Sequence, residues 1–267
     1  MLKNITLGQY FPGDTLVHRL DPRTKLILAT VYVTALFLAR SLLAMGVMAI
    51  YLMLILVSSQ VKPRLLLRGL RPLIVLLIMT SIINLFATPG EPLFHLWRLT
   101  ATREGAVWAL TLLLRIMMMV TGTFVMTYTT TPMALTDGLE KLLGFLKHIR
   151  VPVHEMAMIM SSALRFIPTL IEETDKIISA QKARGADFET GNLFRRAKAL
   201  LPILIPLFIS AFRRADELAI AMESRCYHGG EGRTRMRQLA FSMRDAWAGL
   251  IGVLFFAVII VFRVLGI

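Results

Sequence analysis

The sequence predicts an all-α membrane protein, with about five transmembrane helices and a region of about three amphipathic helices between the fourth and fifth. Three observations carry that prediction. Hydrophobic residues fill 56% of the 267 positions, yet 30 lysines and arginines against 17 aspartates and glutamates leave a formal charge of +13. That combination fits neither a soluble domain nor a disordered chain. Apolar runs of about twenty residues, enough to cross ~30 Å of hydrocarbon, recur along the chain. The basic residues collect in alternate connections, as the positive-inside rule requires of spanning helices.

The first run, 24–39 with its flanks, has a start signal in "LDPRTK". Asp21 can cap the free N–H groups of the first turn, and Pro22 takes the first helical position, where no donor is needed. Further runs cover 42–60, 70–88, 104–127 and 241–265. Residues 1–25 carry Lys3, Arg19, Arg23 and Lys25, and the 61–71 connection carries Lys62, Arg64, Arg68 and Arg71. Sixteen more lie in 128–240, whereas the opposite connections hold only Arg40, Arg98, Arg103 and Arg263. The expectation is a multi-pass protein of the cell membrane, with the N-terminus and the 128–240 region cytoplasmic and the C-terminus outside. It divides into a four-span region 1–127, the region 128–240, and a fifth span in 241–267. The opening 25 residues have no apolar core followed by a small-residue cleavage site, so no removable signal peptide is expected.

Proline and glycine signals divide 128–240 into helices over 132–149 after "TTTP", 152–184 after "RVP" and about 192–226 after "ETGN". In the second, Met160, Leu164, Ile167, Ile171 and Ile178 recur at steps of three and four, while Glu155, Arg165, Glu172, Asp175, Lys176 and Lys182 fall largely elsewhere. One face calls for cover and the other for water. The third has a basic start (Arg195, Arg196, Lys198), the run "ALLPILIPLFISAF" and a charged end. With two prolines, that run is too short and too kinked for an ordinary span. These helices are expected at or under the cytoplasmic membrane surface.

The chain has no G-x-x-x-x-G-K-[ST] loop, no H-E-x-x-H and no G-x-S-x-G. Any ATP it depends on is therefore hydrolysed by another chain, and no cofactor is expected. A single cysteine, Cys226, excludes an intrachain disulfide and a cysteine metal cluster. His18, His95, His148, His154 and His228 are scattered and form no ligand set. Nucleic acid is excluded as a partner, because the long apolar runs leave no soluble basic surface to carry it. Anionic lipid headgroups of the bilayer, or an acidic protein, fit the charge better. Arg115 lies well inside the fourth run, where an ionised side chain costs at least ~2.5 kcal/mol and must face protein or water. It is either structural, bonded to carbonyls or to polar groups such as Asn84, or functional. Sixteen methionines, Met117, Met118 and Met119 among them, provide soft, repackable surface.

Two long helices finish alike. "SAQKARGADF" at 179–188 and "AMESRCYHGG" at 221–230 each hold an arginine between small residues. A basic residue at a helix C-terminus gains ~0.3–1 kcal/mol from the dipole, which accounts for one such end. The repetition fits a second reading, a fork-shaped donor left uncrowded so that it can enter a groove and bond carboxylates or carbonyls there.

"HRLDPRTKL" at 18–26, "SAQKARGADF" at 179–188 and "AMESRCYHGGEGRTRMRQL" at 221–239, together with the topology of almost the whole chain, resemble the transmembrane T component (EcfT) of energy-coupling factor (ECF) transporters. Those are vitamin and metal importers of the ABC class. The resemblance implies that 128–240 is a coupling region whose two small-Arg-small motifs dock into grooves on two ABC-type ATPase subunits, the A components. By match of motif these are Ala183, Arg184 and Gly185, and Ser224, Arg225 and Cys226; the second departs from Ala-Arg-Gly at both flanks. It also implies a separate small membrane protein, the S component, that binds the substrate. "GGEGRTRMR" resembles T components shared by interchangeable S components. The implied role is non-catalytic: ATP-driven motion is passed to the S component for vitamin or micronutrient uptake. A membrane scaffold or insertase would share the topology. A membrane enzyme would have to use Arg115, His148, His154 and the acidic residues of 132–189, which lack paired carboxylates or a nucleophile and base at useful spacing.

Overall fold

The computed structural model describes residues 10–96, 99–186, 188, 192–229 and 238–265. Helices α1 (Pro22–Leu38), α2 (Leu42–Ser59) and α3 (Pro63–Ala87) precede a hairpin of strands β1 (Pro92–Leu96) and β2 (Leu99–Thr102). Then come α4 (Arg103–Thr129), α5 (Pro132–Leu142), a 3-10 segment (Leu143–Ile149), α6 (Val153–Ala183), α7 (Leu193–Glu223) and α8 (Met243–Leu265). Local chemistry sets the starts. Asp21 accepts from the N–H of Arg23 with Pro22 in the first turn, Ser41 caps α2 through Ala44, and Thr102 caps α4 through Gly105. Thr131 receives the N–H of Ala134 at 3.2 Å ahead of α5, which opens on Pro132.

Among the described residues, α2, α3, α4 and α8 are long and apolar enough to cross a membrane. The fifth expected span is α1, which at 17 residues reaches ~26 Å. Three boundaries depart from the sequence expectation. First, α3 begins at Pro63 rather than 70, because Arg64 and Arg68 are good helix formers that hydropathy alone discards. Second, the connection after α3, to which no element was assigned, forms the antiparallel β1–β2 hairpin. Third, the helix expected over 132–149 tightens to 3-10 geometry from Leu143, beside Gly144, and ends where Arg150 turns left-handed at φ +62°. In addition, α7 runs unbroken through Pro202 and Pro206 for 31 residues. Each proline removes one intrahelical bond, and the neighbouring turns retain theirs.

The described residues fall into two compact units, one of 142–229 and one of 10–141 with 238–265. In the second unit α1 packs on α4 and α8, and α2 on α4 and α8. The core joins Tyr32, Leu36, Met45, Met48, Met118 and Ile259. The buried Tyr32 hydroxyl donates to the Met118 carbonyl at 3.1 Å, which fixes its ring against Gly122 of α4. A Cβ at Gly122 would sit 2.5 Å from that ring. Gly122→Leu is therefore expected to separate α1 from α4, costing about 1–3 kcal/mol by overpacking. A thermal unfolding midpoint in detergent several degrees below that of the parent would be the readout, and an unchanged midpoint would contradict the packing described.

At one end of this unit the start of α1, the end of α4 and the start of α8 are tied by polar bonds. The backbone N–H of Asp21 donates to Asp245 at 2.8 Å, and Asp245 also accepts from the N–H and hydroxyl of Ser242. Arg23 pairs with Asp21 at 2.9 Å, donates to the Leu239 carbonyl and lies 4.0 Å over the ring of Phe241. Lys25, 6% exposed, donates to the carbonyls of His18 and Thr129 and to the hydroxyl of Thr130. Three bonds to oxygen use all three ammonium protons, which is what makes a buried lysine tolerable. Fourteen positions further along α1, its C-cap carbonyl at Ala39 accepts from Arg115 at 2.7 Å. The charge inside α4 thus closes the end of a neighbouring helix.

Candidate functional site

In the unit of 142–229, α6 and α7 pack on one another. Both are 31 residues long. A polar clasp joins them: Glu173 of α6 accepts from the Ser210 hydroxyl at 2.7 Å and pairs with Arg214 of α7 at 3.3 Å. The other arm of the Arg214 fork donates to the Thr169 hydroxyl at 2.7 Å, and the guanidinium lies 5.6 Å over the Phe166 ring. The fork is thus held from two sides by groups one turn apart on α6. No sequence signal singled out Glu173 or Arg214. They read as ordinary charges on a solvated face, and only the crossing of the two helices brings them together.

The two helix ends that carry Arg184 and Arg225 share one pattern of closing backbone bonds. At the end of α6 the N–H of Gly185 donates to the Lys182 carbonyl at 3.0 Å and that of Ala186 to the Gln181 carbonyl at 3.0 Å. At the end of α7 the N–H of Cys226 donates to Glu223 at 2.9 Å and that of Tyr227 to Met222 at 3.0 Å. Both sets form a Schellman motif, with the arginine at the C-cap and the following residue left-handed. Gly185 has φ +84° and Cys226 φ +54°. This explains the small residue after each arginine, because a left-handed residue with a bulky Cβ costs ~1 kcal/mol or more. Cys226→Gly should therefore raise the thermal stability of the α7 end by about 1 kcal/mol, and Gly185→Val should lower that of α6 by about 1–2 kcal/mol. Differential scanning fluorimetry on the two single variants measures both, and a loss with Cys226→Gly would mean that the thiol holds the cap.

Ala183, Arg184, Gly185, Ser224, Arg225 and Cys226 are all exposed. Among the described residues neither the Arg184 nor the Arg225 guanidinium makes a hydrogen bond or an ion pair. Each helix end therefore presents a fork of unused donors on a fixed backbone. Relative to the clasp the two are symmetric: Arg184 lies eleven positions after Glu173, and Arg225 eleven after Arg214. At 1.5 Å per residue each arm is ~16 Å long. Before the clasp α7 exposes Leu200, Leu201, Leu204, Ile205, Phe208 and Ile209, an apolar face that the described residues of its own unit leave uncovered. Residues 230–237, most of the stretch "GGEGRTRMR", lie outside the described residues, as do the side chains of Arg195 and Arg196.

A family model described as cobalt transport protein, CbiQ, matches residues 13–236. Three relatives are each named energy-coupling factor transporter transmembrane protein EcfT. That of Acidaminococcus fermentans is 50% identical over 263 residues, 98% of this chain and 98% of its own. That of Clostridium kluyveri is 48% identical over 266 residues, 99% of this chain and 98% of its own. That of Lactococcus lactis subsp. cremoris is 45% identical over 246 residues, 92% of each.

Proposed function

Because the chain belongs to the EcfT family, the transmembrane proteins of energy-coupling factor transporters, we propose that it is the coupling subunit of an ABC-class importer. In this reading it holds two ATPase subunits through Arg184 and Arg225 and passes their motion to a separate small membrane subunit that binds the substrate. ATP hydrolysis takes place on the partner chains, and the cargo is a vitamin or other micronutrient. The observation that carries the proposal is the matched pair of helix ends, two arginines in the same Schellman bond pattern, each eleven positions after a member of one clasp. Dipole complementarity would favour a basic residue at either end, but it would not require two unbonded forks on one geometry.

The mechanism follows from the lever arms. ATP binding closes the ATPase pair, each gripping one arginine in a groove with Ala183 and Gly185, or Ser224 and Cys226, at its rim. The ends of α6 and α7 are drawn together and the helices turn about Glu173 and Arg214. The apolar face around Phe208 and Ile209 then moves under the substrate-binding subunit resting on it. Contacts made in one state are lost in the other, and that difference in contact energy is what ATP drives. Residues 128–240 act as the coupling region between the four-span region 1–127 and the last helix in 241–267. In this reading the N-terminus and the coupling region are cytoplasmic and the C-terminus lies outside, an orientation that the bias of lysine and arginine supports. Arg115 closes the α1 end and is given no role in the motion.

Affinity purification of the tagged chain from its own membranes in mild detergent, followed by mass spectrometry, tests the assembly. Nucleotide-binding subunits and a small hydrophobic subunit should come down together in fixed proportion. A chain recovered without any nucleotide-binding partner would overturn the proposal.

A further inference from the structure

The unit containing α1, α2, α4 and α8 holds an apolar cleft of about 490 Å³. Its walls come from matching stretches of four helices, 25–32 of α1, 51–58 of α2, 122–129 of α4 and 244–251 of α8, with Leu16, Val17 and Leu20 from the segment ahead of α1. Seven residue steps give a depth of ~10 Å, about two-thirds of the ~15 Å of one leaflet. One end closes on Tyr32, Tyr51 and Gly122; the other carries the polar groups Lys25, Ser58, Thr129 and Arg244, beside the apolar Leu16, Val17 and Leu20. The volume lies within the range of a pocket for a single bound molecule, far above an ordinary packing void.

Charge at the polar end selects among occupants. Arg19 is paired with Asp14 and Arg23 with Asp21. Of the remaining groups, Lys25, Arg244 and Asp245, two are positive and one negative, so the mouth carries a net positive charge. Lys25 has no free donor, since its three bonds go to His18, Thr129 and Thr130. Arg244 is exposed, and among the described residues its guanidinium has no hydrogen bond or ion pair. Trp247, 64% exposed at the same mouth, is the kind of amphipathic ring that settles at headgroup level. An apolar slot in a spanning bundle beside an exposed arginine, whose nearby carboxylate Asp14 is already paired with Arg19, matches a ligand class that has both a chain and an anionic head. We propose that the cleft holds one acyl chain of an anionic phospholipid, with the lipid phosphate bonded by Arg244. A zwitterionic lipid offers the same chain, but it brings a cation to a mouth that is already positive.

Native mass spectrometry of the full-length chain, with phosphatidylglycerol or phosphatidylcholine added to the detergent, tests this. The parent should retain one phosphatidylglycerol at concentrations where phosphatidylcholine is lost. Arg244→Gln, at an exposed position outside the core, should lower that retention about tenfold, the loss expected for charge-assisted bonds. Ala248→Trp, which fills the cleft from α8, should abolish it. Val253→Trp, on an exposed stretch of α8 that does not line the cleft, should retain the lipid as the parent does. The Arg244→Gln arm stands even if Ala248→Trp fails to fold. Equal retention of the two lipids by the parent, or undiminished phosphatidylglycerol in Arg244→Gln, or in a folded Ala248→Trp, would overturn the proposal. Recovery of nucleotide-binding subunits is independent of the cleft, so failure here leaves the coupling reading intact.

Discussion

With Arg184 and Arg225 both replaced by glutamate, ATP-driven uptake is expected to fall to background and recovery of the nucleotide-binding subunits to drop at least a hundredfold. Removing one partner of a buried, hydrogen-bonded charge pair across an interface costs about 2–5 kcal/mol. Reversing the charge adds repulsion from the carboxylates or carbonyls that the arginine would have met. Each single variant should lose about thirtyfold or more in ATPase binding, leaving a lopsided complex held at one end. Neither side chain supports the fold, since both are exposed and unbonded among the described residues. The double variant should therefore reach the membrane with unchanged helicity. Parental uptake in that variant would remove the docking role from both motifs.

Arg214→Ala is expected to separate hydrolysis from uptake. The nucleotide-binding subunits should still copurify, because the tips at Arg184 and Arg225 are untouched, while uptake falls about tenfold or more for lack of a common pivot. The clasp is weak as a stability element: both side chains of the Glu173–Arg214 pair are 31% exposed, so solvent screening holds its contribution to about 1 kcal/mol or less. A large loss of uptake with a small loss of stability is thus the signature of a mechanical role. The exchanged pair Glu173→Arg with Arg214→Glu should recover some of the uptake, limited by the bonds to Ser210 and Thr169 that it does not restore. Parental uptake with Arg214→Ala would show that the helices do not turn about this point.

What the sequence made legible follows the strength of its local signals. Asp21 followed by Pro22 marked the start of α1 because a capping carboxylate and a proline act within one turn. The ends of α6 and α7 were marked by the small residues after Arg184 and Arg225. The Schellman bonds and the left-handed φ of Cys226, a residue type that seldom adopts it, needed coordinates. Long apolar stretches gave α2, α4 and α8 nearly to the residue, while α3 was started late because hydropathy gives no credit to Arg64 and Arg68. The hairpin after α3 is pinned by bonds between distant groups, such as the Thr102 hydroxyl to the Thr88 carbonyl at 2.7 Å and the Glu91 N–H to Glu104 at 2.7 Å. No local pattern announces such bonds. The clasp of Glu173 with Arg214 and the tie of Asp21 to Asp245 are likewise tertiary, with 224 positions between the last pair. A charge within an apolar run calls for a carbonyl or polar partner, and for Arg115 only coordinates identify it as the Ala39 carbonyl.

In the proposed transporter two helix ends are held by two separate motor chains. Photo-crosslinking from Lys182 and Glu223, which sit two positions before Arg184 and Arg225, tests it most directly in the assembled transporter. Each position should capture a nucleotide-binding subunit, one from each helix end, with yields that change between nucleotide-free and ATP-bound states. Capture of lipid or of the chain itself from both positions, and of no nucleotide-binding subunit in any state, would contradict it.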